Sequence, residues 1–254
     1  MKKILTTLVG GALLASSLSA DFARVEMGVG AWMQTPSGEV SYEESGATGN
    51  DVSDEKDSTE GYAWVLIKHP VPVLPNLRLE YASTVTTGKV SGGFEDFTIP
   101  NGEVSDSKLE STQYDIIPYY NILDNTAWVT LDLGIDLKIM ETSYKATALE
   151  VSGVEVFEGY SDSASTVLPL LYVRGRVEIP VTNIGVEADI KYISYDTATM
   201  YDARVKVDYT LDMIPVVQPA IEIGYRVQKM DIDDDDATVD LEFSGVYVGM
   251  MLRF

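Results

Sequence analysis

The 254-residue chain has no cysteine and a single histidine, His69. Without cysteine it forms no disulfide, so only noncovalent interactions stabilise its fold. After the first twenty residues no run approaches the ~18 consecutive apolar residues of a transmembrane helix. Basic residues are few, 18 against 40 acidic ones. The net charge of −22 disfavours nucleic acid as a partner.

The N-terminus predicts export. A short basic start, Met1 to Lys3, precedes the apolar run 4–18 and the small residues Ser19 and Ala20. This order is typical of a cleaved secretory signal peptide. We therefore expect residues 1–20 to be the signal peptide and residues 21–254 to form one mature β-domain.

Period-two alternation of apolar and polar residues predicts about ten strands. In the fifth, Val129, Leu131, Leu133, Ile135, Leu137 and Ile139 alternate with polar residues and Gly134. In the second, around Tyr62 to Lys68, both faces carry apolar residues and the inward face cannot be assigned. The predicted strands are 22–35, 60–69, 77–86, 110–120, 126–141, 166–179, 184–195, 200–210, 217–229 and 240–254.

The connections alternate in length. Short turns rich in Pro, Asn and Asp lie at one end, whereas the acidic segments 36–59, 87–109 and 142–165 are predicted as loops at the other. This sorting is typical of outer-membrane barrels, which have short periplasmic turns and long outer loops. We predict an all-β, antiparallel, up-and-down transmembrane barrel of about ten strands in the outer membrane, with eight or twelve strands left open.

The final strand ends on an aromatic residue. Val246, Val248, Met250, Leu252 and Phe254 share one face of it. A terminal aromatic of this kind is the signal read by the barrel-insertion machinery, so we expect Phe254 to mediate insertion. The expected surroundings are outer-membrane lipid and lipopolysaccharide, and the barrel is expected to be a monomer.

Charged residues of both signs recur on the polar faces of the predicted strands. These faces point into the lumen if the apolar faces contact lipid. The predicted lumen charges are Arg24, Glu26, Arg78, Glu80, Asp132, Asp136, Arg174, Arg176, Glu187, Arg204, Glu222 and Arg226.

Ten strands enclose a lumen that side chains can largely fill, whereas water-filled porins have 16–18 strands. Opposite charges in so narrow a space are expected to pair. The sequence thus favours a barrel plugged by salt bridges, with a structural or surface-interaction role. The alternative is a narrow, porin-like channel for ions or small polar solutes.

No catalytic residue and no cofactor are predicted. Barrel enzymes generally use a histidine as a base or in a nucleophile relay, but His69 falls in a predicted periplasmic turn. Asp231, Asp233 and Asp235 are weak candidates for a calcium site. The glycine expected at the sixth position of an EF-hand loop is Asp236 here, and we favour a solvated acidic hairpin tip.

Several turn and strand-end stretches carry a family resemblance. They are His69 to Arg78, Tyr119 to Asn125 running into Leu131 to Gly134, Gly224 to Arg226, the acidic turn near Asp233, and Gly245 to Phe254. Together they resemble the small proteobacterial outer-membrane barrels called the OMP_w_GlyGly family. The resemblance implies a barrel in the outer membrane and carries over no functional residue.

Overall fold

The computed structural model describes residues 24–44, 47–71, 73–100, 102–211, 217–234 and 237–254. The predicted signal peptide lies outside these residues. Thirteen strands occur in the described chain. They are β1 Arg24–Glu44, β2 Ala47–Ser53, β3 Ser58–Lys68, β4 Asn76–Gly92, β5 Ser105–Thr126, β6 Val129–Ala146, β7 Leu149–Val151, β8 Val154–Phe157, β9 Tyr160–Glu178, β10 Ile184–Tyr195, β11 Ala198–Thr210, β12 Gln218–Asp233 and β13 Ala237–Arg253.

Ten of these strands close an antiparallel barrel. Each long strand pairs with its neighbour along the chain, and β13 pairs back onto β1. At this seam Glu26 lies opposite Arg253, and Tyr42 lies opposite Ala237. The Phe254 amide also donates a hydrogen bond to the Val25 carbonyl (2.9 Å). The predicted ten-stranded up-and-down barrel is confirmed, and because β13 pairs with β1 no barrel strand in the described chain is left as a sheet edge.

The strands extend well beyond the predicted ranges at the long-loop end, so three predicted loops are wrong in extent. Segment 36–59 is largely strand, since β1 runs to Glu44 and β2 pairs with both β1 and β4. Segments 87–109 and 142–165 likewise contribute the ends of β4, β5, β6 and β9. Backbone pairing needs no apolar face, so the ladder continues where the sequence is polar on both sides.

Two features of the long-loop end are smaller. A hairpin of β7 and β8 forms a separate two-stranded sheet. The segment between β4 and β5 folds back on itself, where Gly93 bridges Thr98 and the Phe94 amide donates to the Phe97 carbonyl (2.8 Å). We call residues 93–98 the aromatic turn.

Side chains alternate between the two surfaces of the barrel wall. The outward surface carries exposed apolar residues such as Ile135, Leu171, Ile223 and Met250. In β3, whose faces the sequence left unassigned, Tyr62, Trp64 and Leu66 point inward and are buried. Within the described residues, no helix combines the length and apolar composition needed to cross a bilayer.

Candidate functional site

Eleven of the twelve predicted lumen charges lie inside the barrel. Ten of them are buried, and the Arg204 side chain is 9% exposed. Arg24 differs, because it lies at the end of β1 and its side chain is 40% exposed. The interior also contains charges from the same strand faces, namely Asp115, Lys138, Asp189, Lys191, Asp202, Lys206, Asp208 and Arg253.

Near the short-turn end, arginines alternate with carboxylates. Arg176 donates to both oxygens of Asp208 (2.6 and 3.0 Å), and Arg253 also donates to Asp208 (2.6 Å). Arg174 joins Asp132 and Glu187, each at 2.6 Å. Planar guanidinium groups can satisfy two carboxylates at once, so the pairs link into a chain.

In the middle of the lumen, side chains from opposite walls of the barrel reach each other. Counting round the ring of ten strands, β4 and β11 stand opposite each other. Glu80 of β4 accepts a hydrogen bond from Arg204 of β11 at 2.6 Å. Lys191 of β10 also donates to Glu80, at 2.5 Å. Side chains from opposite walls therefore meet on the barrel axis at this level.

A second cluster lies beside this crossing. Asp202 accepts two hydrogen bonds from Arg226 (2.8 and 2.6 Å) and lies 3.4 Å from the Lys138 ammonium. Glu222 accepts from the Tyr62 hydroxyl (2.7 Å), the Trp64 indole (3.1 Å) and Lys206 (2.9 Å). Here each carboxylate is bonded to several donors, which offsets its loss of hydration.

Aromatic rings fill the space between the charges. Lys206 lies 4.5 Å from the Trp64 ring centroid, and Arg226 lies 4.6 Å from that of Trp32. A cavity of about 10 Å³ lies among these groups. This is roughly the space that one water molecule occupies. We call this ion-paired and aromatic interior the charged plug. It extends along the barrel axis from the level of the Arg176–Asp208 pair to the level of the Asp202–Arg226 pair.

One member of the charged plug differs from its neighbours. Asp136 is fully buried, yet neither of its carboxylate oxygens accepts a hydrogen bond within the described structure. The sequence placed Asp136 and Asp132 on the same strand face, and both point inward. Asp132, by contrast, accepts hydrogen bonds from Arg174 and Asn121. Two carboxylates on the same strand face therefore differ in their hydrogen bonding.

Above the charged plug, at the long-loop end, the interior opens into a cavity of about 490 Å³. Its walls include Val40, Leu109 and Leu241, and the aromatic turn closes one side with Phe94 and Phe97. We call this space the mouth cavity. This cavity was not predicted from the sequence, because the aromatic turn lies in a segment predicted to be a loop.

The signal for the aromatic turn was nevertheless present in the sequence. Gly92 and Gly93 precede two phenylalanines in an otherwise acidic segment. Gly92 has a φ of +81°, and a Cβ there would lie 2.1 Å from the Thr48 carbonyl oxygen. Glycine is required at this position because the backbone of the turn packs directly on β2.

The remaining candidates lie apart from both regions. His69 is in the 69–75 turn, where its Nδ1 accepts from the Val71 amide (3.2 Å) and its Nε2 faces the Pro75 carbonyl oxygen (2.9 Å). Asp231 and Asp233 lie near the tip of the β12–β13 hairpin, whereas Asp235 is outside the described residues. The described part of the chain contains no group of three or more His, Asp or Glu side chains placed to hold a metal ion.

No family model and no curated protein sequence matches the chain. Solved structures do match its fold. The outer membrane protease OmpT of Escherichia coli aligns at 10% identity with a TM-score of 0.49, covering 94% of this chain and 98% of OmpT. The translocator domain of the autotransporter NalP of Neisseria meningitidis aligns at 10% identity and a TM-score of 0.44, covering 100% of this chain and 96% of that domain.

A third solved structure also aligns. The attachment invasion locus protein Ail of Yersinia pestis, solved with the heparin analogue sucrose octasulfate, has 12% identity and a TM-score of 0.37. The alignment covers 92% of this chain and 99% of Ail. At these identities and TM-scores the alignments carry no information on chemistry.

Proposed function

We propose that this chain is an integral β-barrel of the bacterial outer membrane whose lumen is closed by its own charged side chains. In this proposal it is neither a porin nor an enzyme, and it has a structural or surface-interaction role. The observation that carries the proposal is the Glu80–Arg204 pair, because it joins opposite walls at 2.6 Å. A solute travelling along the axis has to break this pair.

The outward surface supports the membrane location. Apolar side chains that are half exposed, such as Ile135, Leu171 and Ile223, cover the wall at mid-height. Tyr120 and Tyr209 lie among the exposed residues nearer the short-turn end. An apolar band flanked by tyrosines fits lipid and its interface. Outer-membrane lipid and lipopolysaccharide are therefore the proposed surroundings, with insertion directed by Phe254 and the barrel acting as a monomer.

The interior supports closure. The cavity among Trp32, Trp64 and Arg226 measures about 10 Å³, roughly the space of one water molecule and less than a hydrated ion or a sugar needs. Breaking a buried pair leaves an uncompensated charge in a dry environment, which costs ~3–5 kcal/mol. The proposed absence of catalysis rests on His69, whose two ring nitrogens contact the Val71 amide and the Pro75 carbonyl oxygen of its own turn.

Proteoliposome swelling in isosmotic arabinose tests the closed lumen. The mature chain is refolded in detergent, and heat-modifiable gel mobility establishes that it has folded. We expect swelling no faster than in protein-free liposomes. The matched variant combines Glu80→Ser with Arg204→Ser, which shortens both halves of the wall-to-wall pair, and it is expected to leak. Rapid swelling with the unaltered chain would favour the narrow channel instead.

A further inference from the structure

The mouth cavity has the dimensions of a ligand site. Its volume of about 490 Å³ falls within the ~300–1,000 Å³ typical of small-molecule pockets. It lies between the charged plug and the long-loop end, where β1, β4, β5, β6, β12 and β13 project beyond the apolar band. The charged plug lies beneath it, and the residues that line the two regions differ.

Most of the surface that lines the mouth cavity is apolar. Val40, Leu109 and Val239 pack against the buried hydrophobic core of the lumen, which includes Leu241 and Phe243. Water bound against apolar walls is weakly held, so an apolar group that displaces it is favoured. Such walls favour an occupant with an apolar body of similar extent.

The aromatic turn supplies a rigid side to the cavity. Phe94 and Phe97 stack at 5.0 Å between ring centroids, and Phe94 stacks on Tyr42 at 6.0 Å. Phe97 in turn stacks on Tyr144 at 6.2 Å and on Tyr160 at 4.7 Å. Rings held by one another in this way present a preformed aromatic surface.

The charge of the cavity has one sign. Three carboxylates, Asp51, Glu95 and Asp96, contribute to its lining, and no basic side chain does so among the described residues. Asp51 accepts hydrogen bonds from the Ser107 hydroxyl (2.6 Å) and the Tyr144 hydroxyl (2.8 Å). Burial, followed by the charge of Asp51, raises the pKa of the Tyr144 phenol, so this hydroxyl keeps its proton and donates a hydrogen bond to Asp51.

We propose that the mouth cavity binds a small organic cation with an aromatic or branched apolar body. The apolar walls and stacked rings bind the body. The carboxylates attract the positive charge, and the ring faces add a cation–π contribution. An anion of the same shape meets three like charges and is excluded. This site does not depend on whether the charged plug conducts, because all of its contacts lie above the plug.

Three naphthalene compounds of similar shape test the proposal. They are 1-naphthylmethylammonium, the neutral 1-naphthylmethanol and the anionic 1-naphthylacetate. Binding is measured by naphthalene fluorescence anisotropy on the refolded mature chain, with a detergent-only series to correct for partition into micelles. We expect saturable binding of the cation, about tenfold weaker binding of the alcohol, and no saturable binding of the anion.

Two variants with matched controls locate the site. Phe97→Leu removes a ring of the aromatic turn, and Asp51→Asn removes a charge from the cavity. Their controls are Tyr195→Leu and Asp162→Asn, which change an exposed ring and an exposed carboxylate at the same end of the barrel but outside the cavity. We expect Phe97→Leu to weaken cation binding about tenfold. Asp51→Asn is expected to lower the ratio of the affinity for the cation to the affinity for the alcohol.

Several results would overturn the site. Absence of saturable cation binding to a heat-modifiable, folded chain would do so. Equal affinities for the cation and the anion would show that the carboxylates do not select the charge of the ligand. Equal losses in Phe97→Leu and Tyr195→Leu would place the binding outside the mouth cavity. Heat-modifiable mobility of each variant separates a loss of binding from a loss of folding.

Discussion

The charged plug and the mouth cavity are built on the same barrel and differ in the length of their inward side chains. In the charged plug, Glu80 and Arg204 are long enough to meet on the axis. At the level of the mouth cavity, inward positions include Ser53, Thr86 and Ser107, which are too short to meet. At the mouth, β2 takes the place of β3 between β1 and β4 in the ring of strands, and the short inward side chains there leave the interior open.

The two regions also differ in how their polar groups are satisfied. The charged plug bonds its carboxylates to cations from several strands, as Glu187 does with Arg174, Arg176 and Lys206. The mouth cavity bonds its carboxylates to neutral hydroxyls such as that of Tyr144. Neutral donors leave the negative charge uncompensated, so the electrostatic field of the mouth attracts cations while the charged plug is internally balanced.

The largest expected effect comes from removing a carboxylate of the charged plug. Asp202→Ala leaves Arg226 without its bidentate partner and Lys138 with one carboxylate fewer. Uncompensated buried charge is expected to lower the free energy of unfolding by ~3–5 kcal/mol. Urea unfolding in lipid vesicles, followed by heat-modifiable mobility, measures it. A loss below 1 kcal/mol would show that the plug is hydrated rather than closed.

A smaller effect is expected from displacing the aromatic turn. A Cβ on Gly49 would lie 2.5 Å from the Phe94 ring, so Gly49→Ala must push the turn outward. We expect a cost of about 1–3 kcal/mol and a weaker affinity of the mouth cavity for 1-naphthylmethylammonium. Gly61→Ala is the control, because no atom lies within 4 Å of its added Cβ. Unchanged affinity in Gly49→Ala would argue that the turn does not form the site.

The strands that cross the membrane could be predicted from the sequence, whereas their extensions beyond it could not. Outward residues such as Leu133 and Ile135 alternate with Asp132 and Asp136 because lipid demands an apolar face, and that period predicted the strands and the inward charges. Beyond the bilayer β1 and β2 carry few large apolar residues, with Val40, Tyr42 and Val52 among them, so the apolar pattern weakens and the extensions were predicted as loops.

The mouth cavity could not be predicted for a different reason. Phe94 stacks on Tyr42, and Phe97 stacks on Tyr144, and both contacts depend on the closure of the barrel. Local sequence shows apolar residues in an acidic segment but not which strands they contact. The pairing of Glu80 with Arg204 likewise depends on which strands face each other across the ring.

Within the charged plug, Asp136→Asn is expected to behave unlike Asp202→Ala. Neither oxygen of Asp136 accepts a hydrogen bond within the described residues, so replacing the carboxylate with the asparagine amide breaks no hydrogen bond. We expect a change of less than about 1 kcal/mol in the free energy of unfolding. Measuring both variants in the same vesicles is the test, and equal losses would show that charge alone, rather than bonding, stabilises the plug.

The smallest effect is expected outside both regions. Lys229 and Asp240 pair at 3.2 Å on the β12–β13 hairpin with partly exposed side chains. Solvent and salt screen such a pair, so Asp240→Asn is expected to change the stability by less than about 1 kcal/mol. The same urea series provides the value. A loss as large as that of Asp202→Ala would contradict the contrast between the buried network and surface pairs.

Single-channel recording in a planar bilayer tests the central claim most directly. The refolded, heat-modifiable mature chain is inserted, and the current is followed at fixed voltage in potassium chloride. A flat baseline without steady steps is expected, because the Glu80–Arg204 pair and its neighbours close the lumen. Long-lived, ion-selective steps from the unaltered chain would contradict it and would make the inward charges, Arg174 and Asp132 among them, the lining of a channel.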